Sequence, residues 1–234
     1  MASMQYNKEK LNTLLITAAA ARNIENVKSL LKQGADVDAR DEDGSTAMMF
    51  AALYGYLDIV NYLVDRGAKV DARDKYGSTA MMYAADGGHL DTVKYLVDRG
   101  SDPNSTNKSR WTAMMLAALR GHLDTVKYLV DHGAKVDARD IGGKTAMMLA
   151  AQGGHLDIVK YLVENGADPS LENNNGETAA MVAIKTGHKD IANYLNSVMQ
   201  LMKNKEKMIN SLSPGDSTPK LNNELLRILR TPKE

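Results

Sequence analysis

Threonine and glycine recur along this chain every 33 residues, and this spacing constrains the fold more than any other feature of the sequence. Three separate series keep the same interval. They are Thr46, Thr79, Thr112, Thr145 and Thr178; Gly55, Gly88, Gly121, Gly154 and Gly187; and Gly34, Gly67, Gly100, Gly133 and Gly166. Self-similarity at one fixed interval indicates a repeat architecture, in which each unit packs against its neighbours along the chain.

Each unit predicts two short helices followed by an extended turn. In "STAMMFAALYG", Thr46 is a good N-cap, alanine and methionine favour a helix, and Gly55 ends it. In "YLDIVNYLVDRG", apolar side chains from Leu57 to Val64 share one helical face. The linking "GAKVDARDKYG" is rich in turn-forming residues. A helix pair of this size cannot enclose a core alone, so the units must stack.

These units resemble ankyrin repeats, whose period is about 33 residues with a β-turn and two helices. The segments "GHLDTVKYLVDRGSDPN" and "GHLDIVKYLVENGADPS" match the second helix and loop of that family, and the resemblance covers about residues 8–200. It implies an all-α solenoid of about six helix-turn-helix units with extended turn tips, plus a helical C-terminal extension. The predicted units 1 to 6 are an N-terminal cap at 5–40, repeats at 41–73, 74–106, 107–139 and 140–172, and a C-terminal unit at 173–200.

The units depart from the family pattern directly after the threonine. Where the family has Pro-Leu-His, this chain has Ala-Met-Met, as at Ala47, Met48 and Met49. Helical spacing carries these methionines inward, and the flexible thioether fills irregular core space. We therefore expect apolar packing in place of the family's polar ties between units. A methionine-rich binding surface is the alternative.

Composition and charge exclude several classes of protein. Lysine plus arginine and aspartate plus glutamate both number 29, so no net charge favours nucleic acid or an anionic membrane. The absence of cysteine excludes disulfides and thiolate sites. No apolar run approaches the roughly 18 residues of a membrane span, and the start of the chain lacks a secretory signal. We expect a cytoplasmic location, or the host cytosol for a secreted effector. Residues 1–4 resemble a vector leader and carry no functional weight.

The sequence contains no recognisable catalytic or metal-binding motif. Four histidines occupy one repeat position: His89, His122, His155 and His188. Packed helices lie about 8–10 Å apart, whereas zinc–nitrogen bonds are about 2.0–2.1 Å long. Histidines one unit apart therefore cannot share an ion, and we interpret them as structural. Acidic pairs such as Asp41 and Asp43 fall in turns, where they form local hydrogen bonds. We predict no enzymatic activity, metal or cofactor.

Positions that differ between units are candidates for binding. The resemblance implies that a partner binds at the turn tips and the exposed side of each first helix, which together line a concave groove. Aromatic and basic side chains, which are enriched in interfaces, concentrate there in units 2 to 4. The predicted partner-binding residues are Tyr54, Lys75, Tyr76, Asp86, Lys108, Arg110, Trp111, Leu119, Arg120 and Lys144. We expect a protein or peptide partner, for which acidic character would be complementary; variation by drift is the alternative.

The segment "STNKSRWTAMML" is the most altered of the tips. Arg110 stands where other units have Gly44, Gly77, Gly143 and Gly176. Glycine at such a position usually adopts a positive φ. A side chain there costs about 1 kcal/mol unless the turn has changed shape. The neighbouring Trp111 is the only tryptophan.

After Tyr194 the sequence departs from the repeat. Apolar residues from Ile191 to Met202 keep one helical face, so the last helix is predicted to exceed repeat length. Residues 201–234 are predicted to hold this helical extension, a flexible linker at "SPGDSTP" and a short amphipathic helix. The apolar side of that helix consists of Leu221, Leu225, Ile228 and Leu229. It either folds onto the terminal unit or forms a second docking site.

The preferred hypothesis from the sequence is a non-catalytic protein-interaction module that serves as an adaptor, a regulatory subunit or an effector. Three alternatives remain. The chain is a stoichiometric inhibitor of a partner enzyme, a designed repeat scaffold, or a protein with an enzymatic site in its tail.

Overall fold

The computed structural model describes residues 2–211, with side-chain surroundings described for residues 7–207. Secondary structure in this range is helical, and its only β feature is an isolated antiparallel bridge between Arg40 and Thr46. The all-α prediction is therefore confirmed. The predicted linker and amphipathic helix, with Leu221, Leu225, Ile228 and Leu229, lie outside the described residues.

The helices follow one another in pairs. They are α1 (Ala2–Ala20), α2 (Ile24–Lys32), α3 (Ala47–Leu53), α4 (Leu57–Asp65), α5 (Ala80–Asp86), α6 (Leu90–Asp98), α7 (Ala113–Arg120), α8 (Leu123–Asp131), α9 (Ala146–Gly153), α10 (Leu156–Glu164), α11 (Ala179–Thr186) and α12 (Lys189–Ser211). The last helix has 23 residues, against nine in α10. The stack of helix pairs belongs to one compact part of the chain, which ends at Leu195, and another compact part begins at Asn196, within α12.

The repeated threonines begin the first helix of units 2 to 6. The Thr46 hydroxyl accepts a hydrogen bond from the Met49 amide at 3.4 Å, and the Thr112 hydroxyl accepts one from Met115 at 3.2 Å. Both threonines have extended backbone angles, which is the usual N-cap conformation. Each threonine thereby gives one amide of the first turn, where amides lack a partner within the helix, a side-chain acceptor.

The core lies between successive first helices. Each of α1, α3, α5, α7 and α9 packs against the first helix of the next unit. The Ala-Met-Met residues of units 2 to 5 fill this layer, and Met48 and Met49 are each only 1% exposed. The predicted role of these methionines in the core is confirmed. The alternative that they form a binding surface is wrong for units 2 to 5.

Histidine and glycine join neighbouring units. His122 Nε2 donates to the Asp86 carbonyl of the preceding unit at 3.0 Å, and His89 and His155 form the equivalent bonds. The His122 ring lies over Gly88, where an added Cβ would approach within 2.5 Å of it. The glycine also has a φ of +71°, so a side chain is excluded by both space and conformation. The interpretation of this histidine series as structural is confirmed.

Units 1 and 2 are joined by a different pair of residues, at the two positions where the later units have glycine and histidine. Arg22 replaces the glycine and has a φ of 56°, and Tyr56 replaces the histidine. The Arg22 guanidinium lies 5.3 Å from the centroid of the Tyr56 ring, a cation–π contact. Asn23 accepts from the Asn26 amide at 3.0 Å and caps α2. Unit 1 therefore joins the stack with polar and charged side chains of its own.

Candidate functional site

The turn tips are residues 41–45 in unit 2 and the equivalent residues 74–78, 107–111, 140–144 and 173–177 in units 3 to 6. They share one hydrogen-bonded frame. In unit 3, Asp74 Oδ1 accepts from the amides of Tyr76 and Ser78, both at 2.8 Å. In unit 4, Asn107 Oδ1 accepts from Ser109 and Trp111, both at 3.0 Å. An Asx side chain that binds amides ahead of it closes a tight turn, and the two residues that follow it, Lys75 and Tyr76 or Lys108 and Ser109, are exposed. The residue at the start of each repeat therefore fixes the positions of the side chains at its tip.

Backbone bonds connect each tip to the next. The Lys75 amide donates to the Asp43 carbonyl at 2.7 Å, Lys108 to Tyr76 at 2.9 Å and Ile141 to Ser109 at 3.1 Å. The tips thus form a continuous row. Lys75, Tyr76 and Lys108 are neighbours in it, because the Lys75 ammonium also lies 5.1 Å from the Tyr76 ring centroid.

Arginines reinforce this row at most tips. Arg73 Nη1 donates to the Gly77 carbonyl of its own tip at 2.9 Å and to the Thr106 carbonyl of the next at 2.7 Å. Arg40 forms the same two bonds to Gly44 and Arg73, and Arg139 donates to the Glu172 carbonyl. Unit 4 has Thr106 at this position and lacks the arginine link.

In unit 4 the arginine lies at a different place in the tip. Arg110 occupies the glycine position, is exposed, and has a φ of 61°. Its amide donates to the Asn107 carbonyl at 2.8 Å, as the Gly77 amide donates to Asp74 at 3.0 Å. The turn has therefore kept its shape, and Arg110 has the positive φ that glycine has at this position in the other units. The arginine of this tip is therefore exposed to solvent, whereas Arg40, Arg73 and Arg139 link neighbouring tips.

The predicted binding residues differ in exposure. Tyr54, Lys75, Tyr76, Lys108, Arg110 and Arg120 are exposed, whereas Asp86, Trp111, Leu119 and Lys144 are half-buried. Tyr54 stacks on Tyr56 with ring centroids 5.7 Å apart, so it is associated with the Tyr56 and Arg22 pair. The tip residues Lys75, Tyr76 and Lys108 lie together in the row, whereas the ring of Tyr54 stacks at the joint between units 1 and 2.

Ion pairs already engage two of the predicted cations. Lys75 pairs with Asp43, and Arg120 Nε donates to Asp86 Oδ1 at 2.8 Å. The hydrogen bond from Asp86 raises the pKa of Arg120. Lys144 Nζ donates to Gln152 Oε1 at 3.1 Å, a bond that leaves its charge uncompensated. Among the described residues, Lys108 and Arg110 have no ion-pair partner.

One exposed apolar side chain at the tips was absent from the predicted set. Ile141 is 61% exposed at the position that Lys75 and Lys108 occupy in the units before it. Its exposure could have been predicted from the sequence, since an isoleucine stands at a tip position where the other units have charged or amide residues. With Tyr76 and Trp111, it places a large apolar group at the tips of three consecutive units.

The described residues contain no cluster of side chains suited to metal binding. No group of three histidine or acidic side chains within them could hold a metal ion.

Burial and a 2.6 Å hydrogen bond to Asp74 raise the pKa of the Tyr83 hydroxyl well above its usual value. Tyr83 therefore stays protonated and acts as a donor to the tip. None of the described helices is both long and apolar enough to cross a bilayer.

Comparison with known proteins agrees with this geometry. A family model described as ankyrin repeats in three copies matches residues 2–74, 69–140 and 139–207. The chain belongs to the ankyrin-repeat family. It is 48% identical over 53 residues to an ankyrin repeat protein of Rickettsia felis, an alignment that covers 22% of this chain and 84% of that protein. It is also 48% identical over 45 residues to a second one from the same organism, over 19% of this chain and 68% of that protein.

Proposed function

We propose that this ankyrin-repeat protein binds an acidic segment of a partner protein at the turn tips of units 3 to 5, without catalysing a reaction. Ankyrin repeats are generally protein-protein interaction modules, and the proposal assigns the contact to particular tips. The observation that carries it is the tip of unit 4, where Lys108 and Arg110 are exposed without an acidic partner.

Charge at neighbouring positions supports an acidic ligand. The carboxylates of Asp43 and Asp86 are already paired with Lys75 and Arg120. A ligand carboxylate near Lys108 and Arg110 would therefore gain new contacts without breaking existing ones. Such exposed charges contribute mainly to association rate and specificity.

Apolar and aromatic side chains supply the proposed affinity. Tyr76 and Ile141 are more than half exposed, and Trp111 is half-buried between them in the order of tips. Tyrosine and tryptophan are enriched among residues whose loss weakens interfaces most. The proposed ligand is thus an extended acidic segment with an apolar side chain beside its carboxylates. As an adaptor, a regulatory subunit or an effector, the protein would do this in the cytoplasm.

Affinity capture with the immobilised full chain tests the proposal. We expect Tyr76→Ala combined with Trp111→Ala to reduce the recovery of specific partners by about tenfold or more, since hot-spot losses exceed about 2 kcal/mol. Tyr128→Ala on α8 is the control, because this aromatic side chain lies on a second helix. Equal recovery with the double variant and the unaltered protein would contradict the proposal.

A charge reversal tests the acidic character of the captured partner. We expect Lys108→Glu with Arg110→Glu to slow association at low salt, with the difference shrinking as salt rises. Lys94→Glu with Lys127→Glu changes the net charge equally on the second helices α6 and α8. If both pairs of substitutions slow association to the same extent, the tip of unit 4 has no special role.

A further inference from the structure

A cavity at the joint between units 1 and 2 carries an excess of positive charge. Its volume is about 470 Å³, and its lining comes from the first half of α1, the end of α2 with the loop after it, and α4 with the residue that follows it. Among the described residues that line it, Lys8, Lys32 and Arg66 are basic and Asp36 alone is acidic. The lining therefore has a net positive charge.

This charge arises from a change in the repeat pattern at the end of α2. Lys32 stands where units 2 to 5 have an acidic residue: Asp65, Asp98, Asp131 and Glu164. At the joint between units 2 and 3, Asp65 Oδ1 lies 3.9 Å from Arg99 Nη1. The equivalents of these two residues at the joint between units 1 and 2 are Lys32 and Arg66. Two cations have replaced an ion pair of the repeat.

Arg66 keeps the ring contact that this arginine makes in the next unit. Its guanidinium lies 4.9 Å from the centroid of the Tyr62 ring, and that of Arg99 lies 4.7 Å from the centroid of the Tyr95 ring. A cation over an aromatic face is held there by the charge distribution of the ring. Tyr62 also lines the cavity. The Arg66 cation therefore lies at the cavity, although it lacks the acidic partner of Arg99.

The acidic side chains of this region leave the three cations uncompensated. None of these cations forms an ion pair within the described part of the chain. Glu25 of α2 pairs with Lys28 at 2.9 Å, and Asp65 of α4 pairs with Arg99. Asp36 Oδ1 accepts from a backbone amide of its own loop at 3.0 Å. An anion in the cavity would gain contacts without breaking an ion pair.

We propose that this cavity binds a small phosphorylated molecule. A phosphate monoester carries about −1.5 to −2 charges at pH 7 and three acceptor oxygens. The planar Arg66 guanidinium matches two of those oxygens, and Lys8 and Lys32 supply point charges. Ligand pockets usually have volumes of about 300–1,000 Å³, so the cavity has room for an organic group beside the phosphate. The Tyr62 ring is the aromatic surface for that group.

Binding here would stabilise the first joint of the stack. The cavity exists only when α1, α2 and α4 are packed together, so the ligand binds the folded chain and shifts the unfolding equilibrium by mass action. The site contains none of the tip residues proposed to bind a partner protein. Either proposal can therefore fail without the other.

Thermal unfolding and isothermal titration calorimetry of the full chain with inorganic pyrophosphate at low salt test the site. We expect the unfolding midpoint to rise with pyrophosphate and not with sodium chloride at equal ionic strength. Lys32→Asp gives Arg66 the acidic partner that Arg99 has, and it should weaken binding by about tenfold or more. Lys127→Asp on α8 is the matched control, because it changes the net charge equally.

Two outcomes of these measurements would overturn the proposal. A basic residue at a helix C-terminus is favourable without any ligand. If Lys32 serves only that role at the end of α2, pyrophosphate will not bind. Equal weakening by Lys32→Asp and Lys127→Asp would show that the anion responds to net charge and not to the cavity.

Asp36→Asn gives a test in the opposite direction. It removes the negative charge of the lining and keeps an oxygen that can accept from the loop amide. We expect it to raise the affinity for pyrophosphate by about fivefold, and an unchanged affinity would place the anion elsewhere. Phenyl phosphate should bind more tightly than inorganic phosphate, because its ring can pack against Tyr62. Equal binding of the two probes would contradict an organic ligand.

Discussion

The tips of units 3 and 4 have the same backbone and different side chains. In both, an Asx side chain accepts from the amides two and four residues ahead, and the first amide of the tip donates to the preceding tip. Unit 3 combines Arg73 with Gly77, whereas unit 4 combines Thr106 with Arg110. The frame of the tip is therefore set by the Asx residue and the backbone bonds. The remaining tip positions can then change without changing the fold.

The largest expected effect comes from removing the residue that both tips share. Asp74→Ala and Asn107→Ala each leave two amides without their acceptor, which costs about 1–3 kcal/mol of unfolding free energy. Asp74→Ala should cost more, because Asp74 Oδ2 also accepts from the Tyr83 hydroxyl at 2.6 Å. Urea denaturation measures both. Asp74→Asn, which imitates unit 4, is the control and should cost less than Asp74→Ala. A neutral Asn107→Ala would mean that unit 4 does not depend on this frame.

The next largest effect on stability is expected at the tip position that is arginine in unit 4 and glycine in units 2, 3, 5 and 6. We expect Arg110→Gly to raise the unfolding free energy by about 1 kcal/mol, because a φ of 61° is unfavourable for a residue with a Cβ. Gly77→Ala should lower it by about 1 kcal/mol or more, since the new Cβ would also lie 3.1 Å from the Lys108 amide nitrogen. Equal stability of Arg110→Gly and the unaltered chain would show that unit 4 has relieved this strain by another route.

The fold could be predicted from the sequence because its determinants are local and repeated. Thr46 and Gly55 mark the start and end of a helix by their own chemistry, and the 33-residue interval repeats the same information in each unit. The burial of Met48 and Met49 also followed from helical spacing. The contact between His122 and Gly88 did not, because the two residues lie 34 positions apart and meet only when the units stack.

Less of the candidate site than of the fold could be predicted from the sequence. The sequence indicated which side chains vary, and Arg110 at a glycine position was visible at once. Which cations already have partners depends on contacts between units, such as Arg120 with Asp86, that no spacing rule specifies. The exposure of Met181 could not be predicted either, since the same residue type is buried in units 2 to 5, and within the described residues α11 is not followed by another first helix.

A smaller effect is expected from the arginine link between tips. Thr106→Arg would give unit 4 the bonds that Arg73 forms in unit 3, and we expect about 0.5 kcal/mol of added stability, the low end for an exposed hydrogen bond. Arg73→Thr should cost a similar amount. Thermal unfolding of the two variants and of the double exchange measures the effect. If Thr106→Arg destabilises the chain, the changes around unit 4, such as Asn104, have left no room for the guanidinium.

The smallest effect concerns the two lysines at the first position of the tips. Lys75 pairs with Asp43, while Lys108 follows a unit in which Tyr76 replaces that aspartate. The hydrogen bond to Asp43, with a further one to Tyr76, raises the pKa of Lys75. A lysine whose folded pKa is raised adds stability below its unfolded value of about 10.4, and this contribution is lost as pH rises through the folded pKa.

Asp43→Asn should therefore lower the pKa of Lys75, measured by following its ε-methylene resonances with NMR, and should remove this pH dependence above pH ~10. Because both side chains are largely exposed, the change in stability at neutral pH should be small. The reciprocal change, Tyr76→Asp, gives Lys108 the carboxylate that Lys75 has. It should slow the association of an acidic partner more than Tyr76→Asn does, because only the aspartate compensates the lysine charge. Equal rates for these two variants would show that Lys108 does not attract the ligand.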